Sequence, residues 1–357
     1  QTDSAPRVGF LMPWGVGTAA AVVEGLREGL RMRSADLPFT LGGRRYPGGT
    51  VLVRTSENEP GMPARLRALA AKHGAELVPI DTAFVEGGIS LGSSYVQPLK
   101  APRVLMAWDT PASSLSAGWT RYVLERRYGQ PVTIVRTATL PRVDLARYDV
   151  MVLPSGNYTS LSNDFLRRLK DWINAGGTLI TIAEASRWAT RENVGLLGTT
   201  TELKGGKPDV EGQSSKPGEK KEDASQPIDL QTAIAPERER PDPVAGAMLR
   251  AALDTEHWLA AGTDGEIQVM VEGSRIFTPL KADKGRNVGV YARPEQLVAS
   301  GLLWDDQRPQ YANKAFLMHQ PTGRGHVIAF AEDPNFRAFM EATSLLFMNA
   351  VILGPSH

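Results

Sequence analysis

The chain opens on a continuous apolar run, RVGFLMPW at 7–14, and residues 18–32 then place apolar and small side chains three and four apart. The first pattern predicts a strand buried on both faces, and the second a helix with one packed stripe. Residues 37–54, LPFTLGGRRYPGGTVLVR, hold two β-rich runs broken by glycines and a proline, which predicts a hairpin or bulged ribbon. A helix is predicted over 63–72, stopped by Gly74 as its left-handed C′ residue, before the strand AELVPID. Together these elements predict a small α/β linking module over 1–100. Its connector is the stretch of Gly87, Gly88, Gly92, Ser93 and Ser94.

From Pro102 the pattern changes to apolar runs alternating with amphipathic segments. RVLMAWD, a helix over 116–128, PVTIVRT, DVMVLPSG, a helix over 164–174 and GTLITIA follow in turn. Such alternation predicts an α/β fold with an open, doubly wound, mostly parallel sheet covered on both faces, spanning 101–357. Residues 203–243 interrupt the rhythm with Lys, Glu, Gly, Ser and Pro, a composition too poor in apolar side chains to form a core. This predicts a disordered insertion within one domain. IQVMVEG, NVGVYAR, AFLMHQP and HVIAFAED then resume the strand pattern, and a final apolar helix is predicted over 335–353.

Composition narrows the chemistry. The 357 residues are 42% hydrophobic, enough for one large core and a smaller one. Forty Lys and Arg balance 39 Asp and Glu, without the basic stripe that nucleic acid demands, so no nucleic-acid partner is expected. No apolar run reaches 18 residues, so no membrane partner is expected either. The sequence contains no cysteine, which removes disulfides, thiol nucleophiles and thiolate metal sites together.

In an open parallel sheet, ligands collect beyond the carboxyl ends of the strands. Four loops meet that condition: Asp109-Thr110-Pro111, Ser155-Gly156-Asn157-Tyr158, Glu184-Ala185-Ser186 and Asp333-Pro334-Asn335. Asp, Ser and Asn at such positions also cap following helices. Their convergence on one edge nevertheless predicts a small polar crevice built from Asp109, Thr110, Ser155, Asn157, Tyr158, Glu184, Asp333 and Asn335. The turn after GTLITIA is the position where α/β hydrolytic folds expose a nucleophile, and here it offers Glu184 and Ala185. Ser186 lacks the G-x-S-x-G surround.

His73 and Glu76 match H-x-x-E spacing, but they lie between a helix end and a strand start, and no second histidine pattern accompanies them. No metal ligand is expected in this chain. GGRRYPGG fits neither phosphate-binding glycine motif, so Arg44 and Arg45 are placed on a solvated hairpin face. Most of the seven tryptophans fall in apolar runs or amphipathic helices, which points to core packing.

APRVLMAWDTPASSLSAGWTRYVLERRYGQPVTIVRTATLPRVDLARYDVMVLPSGNY, with LKDWINAGGTLITIAEASRWA, resembles the class I glutamine amidotransferase-like, flavodoxin-like domain that closes certain large bacterial M14-family zinc carboxypeptidases. GLLWDDQ and PTGRGHVIAFAEDPNFRA resemble that domain's last strands, and PFTLGGRRYPGGTVLVR resembles the segment joining it to the peptidase domain. The resemblance implies a non-catalytic accessory region that packs on the peptidase domain of the same polypeptide or helps bind substrate. It further implies that zinc belongs only to the absent peptidase domain, that no cofactor sits in this chain, and that the parent is periplasmic or secreted. An active amidotransferase places cysteine at the elbow, and this chain has none. Two other functions compete: a stand-alone module binding a sugar or peptide, and a hydrolase using Glu184.

Overall fold

The computed structural model describes residues 6–209 and 239–357. Its N-terminal part runs β1 (Gly9–Met12), α1 (Val16–Arg27), β2 (Arg33–Ala35), β3 (Phe39–Leu41), β4 (Arg44–Tyr46), β5 (Val51–Arg54), α2 (Met62–His73), β6 (Val78–Ile80), β7 (Gly87–Gly88) and β8 (Val96–Pro98). The order β6-β1-β5-β2-β8 forms a sheet in which every neighbouring pair is antiparallel, and β4-β3-β7 forms a second, smaller one. The continuous apolar character of β1 and β5 follows from this arrangement. Phe10, Met12, Val51 and Val53 face the helices and the main core. Leu11 and Leu52 point to the other side, where Phe39, Leu41 and Tyr46 of the small sheet cover them. The first helix ends at Arg27 rather than at residue 32, because Gly29 takes φ +85 and turns the chain back as β2. Gly74 ends α2 at φ +67, its amide bonding the Ala70 carbonyl.

The second part runs β9 (Val104–Trp108), α3 (Ser114–Tyr122), β10 (Val132–Arg136), β11 (Val150–Leu153), α4 (Asn163–Asn174), β12 (Thr178–Ile182), α5 (Glu184–Ala189), β13 (Thr201–Glu202), β14 (Pro208–Asp209), β15 (Val244–Leu253), β16 (Glu266–Gly273), β17 (Arg286–Tyr291), β18 (Val298–Gly301), β19 (Ala315–Thr322), β20 (Gly325–Phe330) and α6 (Glu341–Ile352). One ten-stranded sheet follows the order β10-β9-β11-β12-β20-β19-β17-β15-β16, with β18 paired to β15. The first five strands in that order are parallel to their neighbours, and the remainder pair antiparallel. The fold is therefore α/β with a mixed sheet, and only half of that sheet is parallel. β19 is buried from Ala315 to His319 and β20 along its whole length, so both are covered on two faces there, and they are nonetheless antiparallel to each other.

Two boundaries move. The last helix begins at Glu341, since Arg337 and Ala338 take positive φ (49° and 55°) within the preceding turn. Of the insertion expected over 203–243, residues 210–238 lie outside the described residues. At its near end β14 pairs with β13, and Asp209 forms a buried ion pair with Arg187 at 2.7 Å. At its far end Glu239 and Asp242 both meet Lys204.

The two parts share one core through α6, which is apolar on every side and packs on α1, β12 and β16. Thr343 and Ser344 bond the Pro334 carbonyl near its start, and Asn349 is buried in its second half. Asn349 accepts from the Trp14 indole (2.7 Å) and donates to the carbonyls of Leu259 (2.8 Å) and Ala261 (2.9 Å). Replacing Asn349 by Leu strands one donor and two acceptors in a dry interior. At ~1–3 kcal/mol for each unsatisfied group, the expected loss is several kcal/mol, read as a lower urea midpoint. A variant within about 0.5 kcal/mol of the parent would show that water replaces Asn349 there.

Candidate functional site

β12 enters α5 through Ala183, whose backbone takes φ +51 and ψ −110. An L-residue with a Cβ rarely adopts such a conformation, which costs ~1–3 kcal/mol, and it is the geometry of a sharp strand-to-helix elbow. Ala183 rather than Glu184 or Ala185 therefore occupies the elbow position, one residue earlier than the sequence pattern indicated, and it is buried. Its methyl group lines a crevice of about 100 Å³ with Ser116, Ser155, Glu272, Glu332 and Asp333.

Arg275, between β16 and β17, organises the crevice. Its guanidinium meets Glu184 Oε1 at 3.2 Å and Glu332 Oε2 at 2.5 Å, and it also donates to the carbonyls of Glu272 (2.7 Å) and Ala331 (3.3 Å). Burial alone would favour its neutral form, but the two glutamates outweigh that and hold it charged. Burial pushes Glu332 up to about 7 against the pull of Arg275. It also pushes Asp333 up to about 6, against the Ser116 hydroxyl and the Asn335 amide.

Of the residues expected here, Ser155, Glu184 and Asp333 converge. The Ser155 hydroxyl accepts from the Glu184 amide (3.4 Å), and the Ser155 amide donates to Ser116 Oγ (3.1 Å). Asn335 stands behind them, fully buried, with its amide on Asp333 Oδ1 (2.9 Å) and its side chain on Thr120 (3.3 Å). Asp109 and Thr110 are exposed, and Asp109 accepts from the Thr110 amide next to it. Asn157 is also exposed. Tyr158 is in the core instead, bonded to the Pro154 carbonyl (2.9 Å) and tilted against Trp188. Neither Arg275, 91 residues after Glu184, nor the role of Ala183 leaves a local signal in the sequence. Glu332 adjoins Asp333 and was legible only as the tail of a strand.

His73 and Glu76 diverge: His73 bonds Glu24 at 2.7 Å, while Glu76 pairs with Arg44 on the exposed β4. A different set of histidines does come together. The Leu259 amide can only donate, so His257 Nδ1 accepts from it (3.2 Å) and the His257 proton sits on Nε2. That proton goes to His319 Nδ1 (2.9 Å), and His319 Nε2 in turn donates to His326 Nδ1 (2.9 Å). The chain ends at His326 Nε2, which has no partner. Burial lowers His257 and His326 to about 4 and His319 to about 2. Trp258 flanks this row and stacks on His357, which reaches Asp36 at 3.1 Å. Among the described residues no group of three or more His, Cys, Asp or Glu is arranged to hold a metal ion. Nor is any helix among them long and apolar enough to cross a membrane.

No family model matches the sequence, and no curated protein matches it. Among solved structures the chain is similar to a ThuA-like protein from Parabacteroides merdae, at 12% identity and a TM-score of 0.45, covering 70% of this chain and 88% of that one. A ThuA-like protein from Bacteroides uniformis gives 12% identity and a TM-score of 0.41 over 70% of this chain and 89% of that one. A β-galactosidase from Bacillus circulans gives 12% identity and a TM-score of 0.41 over 69% of this chain. The chain spans 30% of that enzyme's length.

Two outcomes follow from this geometry. Ala183→Gly relieves the positive φ and is expected to stabilise the fold by about 1 kcal/mol, the strain released exceeding the added chain entropy. A loss in calorimetry would mean the elbow is unstrained. For the histidines, the unfolded chain takes up protons near 6.5, and the folded chain does so only near 4 or below. Unfolding free energy therefore falls as pH drops through that window. By NMR none of the three imidazoles should titrate between pH 5.5 and 8, and a midpoint near ~6.5 for any of them would break the proposed hydrogen-bonded row.

Proposed function

We propose that this chain is a non-catalytic accessory region with a glutamine amidotransferase-like, flavodoxin-like core. The five parallel strands support that core, since numbering them by position along the chain puts them side by side as 2-1-3-4-5. In this reading the region serves an M14-like zinc carboxypeptidase, packing on the peptidase domain of the same polypeptide or helping to hold its substrate. The zinc belongs to that peptidase domain, and the parent is periplasmic or secreted.

The observation that carries the non-catalytic part is the methyl group of Ala183 at the strained elbow, where a nucleophile would have to project. Glu184 is a poor substitute. Its Oε1 is turned to Arg275 at 3.2 Å, and the guanidinium draws charge from the carboxylate and lowers its nucleophilicity. The accessory role itself rests on the sequence resemblance.

The purified chain is expected to show no turnover of glutamine, activated esters or peptides. Turnover that disappears in Glu184→Gln would overturn the non-catalytic reading. The full open reading frame is expected to encode an upstream zinc peptidase domain whose peptide cleavage stops on chelation. A reading frame without one would remove the accessory role.

A further inference from the structure

The turn at 257–262 is where the large sheet meets the N-terminal part. The carbonyls of Leu259 and Ala261 accept from Asn349, which holds the Trp14 indole, and a Cβ added to Gly262 would come within 3.0 Å of that indole. Trp258, in the same turn, stacks on His357, and His357 reaches Asp36. His257 fixes the turn from its start, its Nδ1 accepting from the Leu259 amide at 3.2 Å.

The imidazole row behind His257 has no place for another proton. Each ring carries one hydrogen and one lone pair, and each lone pair already faces a donor. A proton on His326 Nδ1 would meet the hydrogen of His319 Nε2, and one on His319 Nδ1 would meet that of His257 Nε2. One on His257 Nδ1 would meet the Leu259 amide. Protonation therefore has to break a hydrogen bond. His319 and His326 are 5% and 8% exposed on paired strands, whereas His257 is half-buried in the turn and is the ring that can leave. Of the charged groups facing it, Asp254 after β15 favours a charge on His257, while Arg286 of β17 and His357 past α6 oppose one. Asp254 and Arg286 pair with each other at 2.7 Å, and Asp36 engages His357.

We propose that the row is an acid-operated latch: a proton taken up by His257 expels its ring, frees the Leu259 amide and loosens the hold of the turn on Trp14. An imidazole released to water binds protons near ~6.5, so the opened fraction grows as pH falls below that value, by up to about tenfold per pH unit for one histidine. The growth ends where the closed row itself takes up the proton, at about 4.

Hydrogen exchange of the intact chain, followed by NMR at pH 7 and pH 5 and corrected for the intrinsic rate at each pH, tests the latch. The Leu259 amide and the Trp14 indole are expected to exchange faster than the amides of Val152 in β11 and Ile180 in β12. They should also lose about tenfold or more of their protection between the two pH values. A loss that only matches that at Val152 and Ile180 would mean that protons enter by global unfolding alone, and would overturn the latch. His257→Asn keeps an acceptor for the Leu259 amide, since its Oδ1 stands in for Nδ1, and leaves His319 Nδ1 free to take a proton without disturbing the turn. In that variant protection at Leu259 and Trp14 should change less than about twofold. An undiminished loss there would equally overturn the latch, and the comparison within the parent chain decides even where the variant fails to fold.

Discussion

The buried guanidinium of Arg275 is the constraint on which the carboxyl edge of the large sheet depends. It projects from the antiparallel half, after β16, and grips the start of α5 and the residues just past β20, both in the parallel half. A charge so enclosed is tolerable only with carboxylates around it, and those carboxylates are tolerable only because of the charge. Removing either side leaves uncompensated charge in the interior. The two halves of the sheet are thus tied at the edge where an open α/β fold gathers its ligands.

That constraint shapes the crevice beside the elbow. Ala183 retains the tight turn between β12 and α5, while the acidic side chain next to it in sequence, Glu184, is engaged by Arg275. The elbow geometry serves to present backbone and a small side chain to a polar hollow.

The same sheet carries a second polar system at its other end. β20 starts near His326 and leads at its far end to Glu332 and Asp333, so one strand joins the imidazole row to the carboxylate crevice. The row is directional and burial disfavours its protonation, and it sits beside Trp258 and His357, where Asp36 brings in the N-terminal part. With the Trp14–Asn349 bond, this adds polar contacts to the apolar core that joins the two parts of the chain.

The local pattern of the sequence determined much of the element order. Gly74 ended its helix because only a left-handed residue closes that turn cheaply, and RVLMAWD, DVMVLPSG and GTLITIA became adjacent parallel strands. Ser155, Glu184 and Asp333 were legible as neighbours because strand ends in such a sheet share one edge. Strand direction was not legible: the buried runs of β1, β5, β19 and β20 are largely apolar because both faces are covered, and coverage says nothing of strand direction. Only the tertiary structure brought Arg275 to Glu184 and Glu332, set Ala183 rather than Glu184 at the elbow, and lined up His257, His319 and His326. Each of these depends on contacts between segments far apart in the chain, and hydrophobic periodicity records which face of a segment is buried without recording what it is buried against.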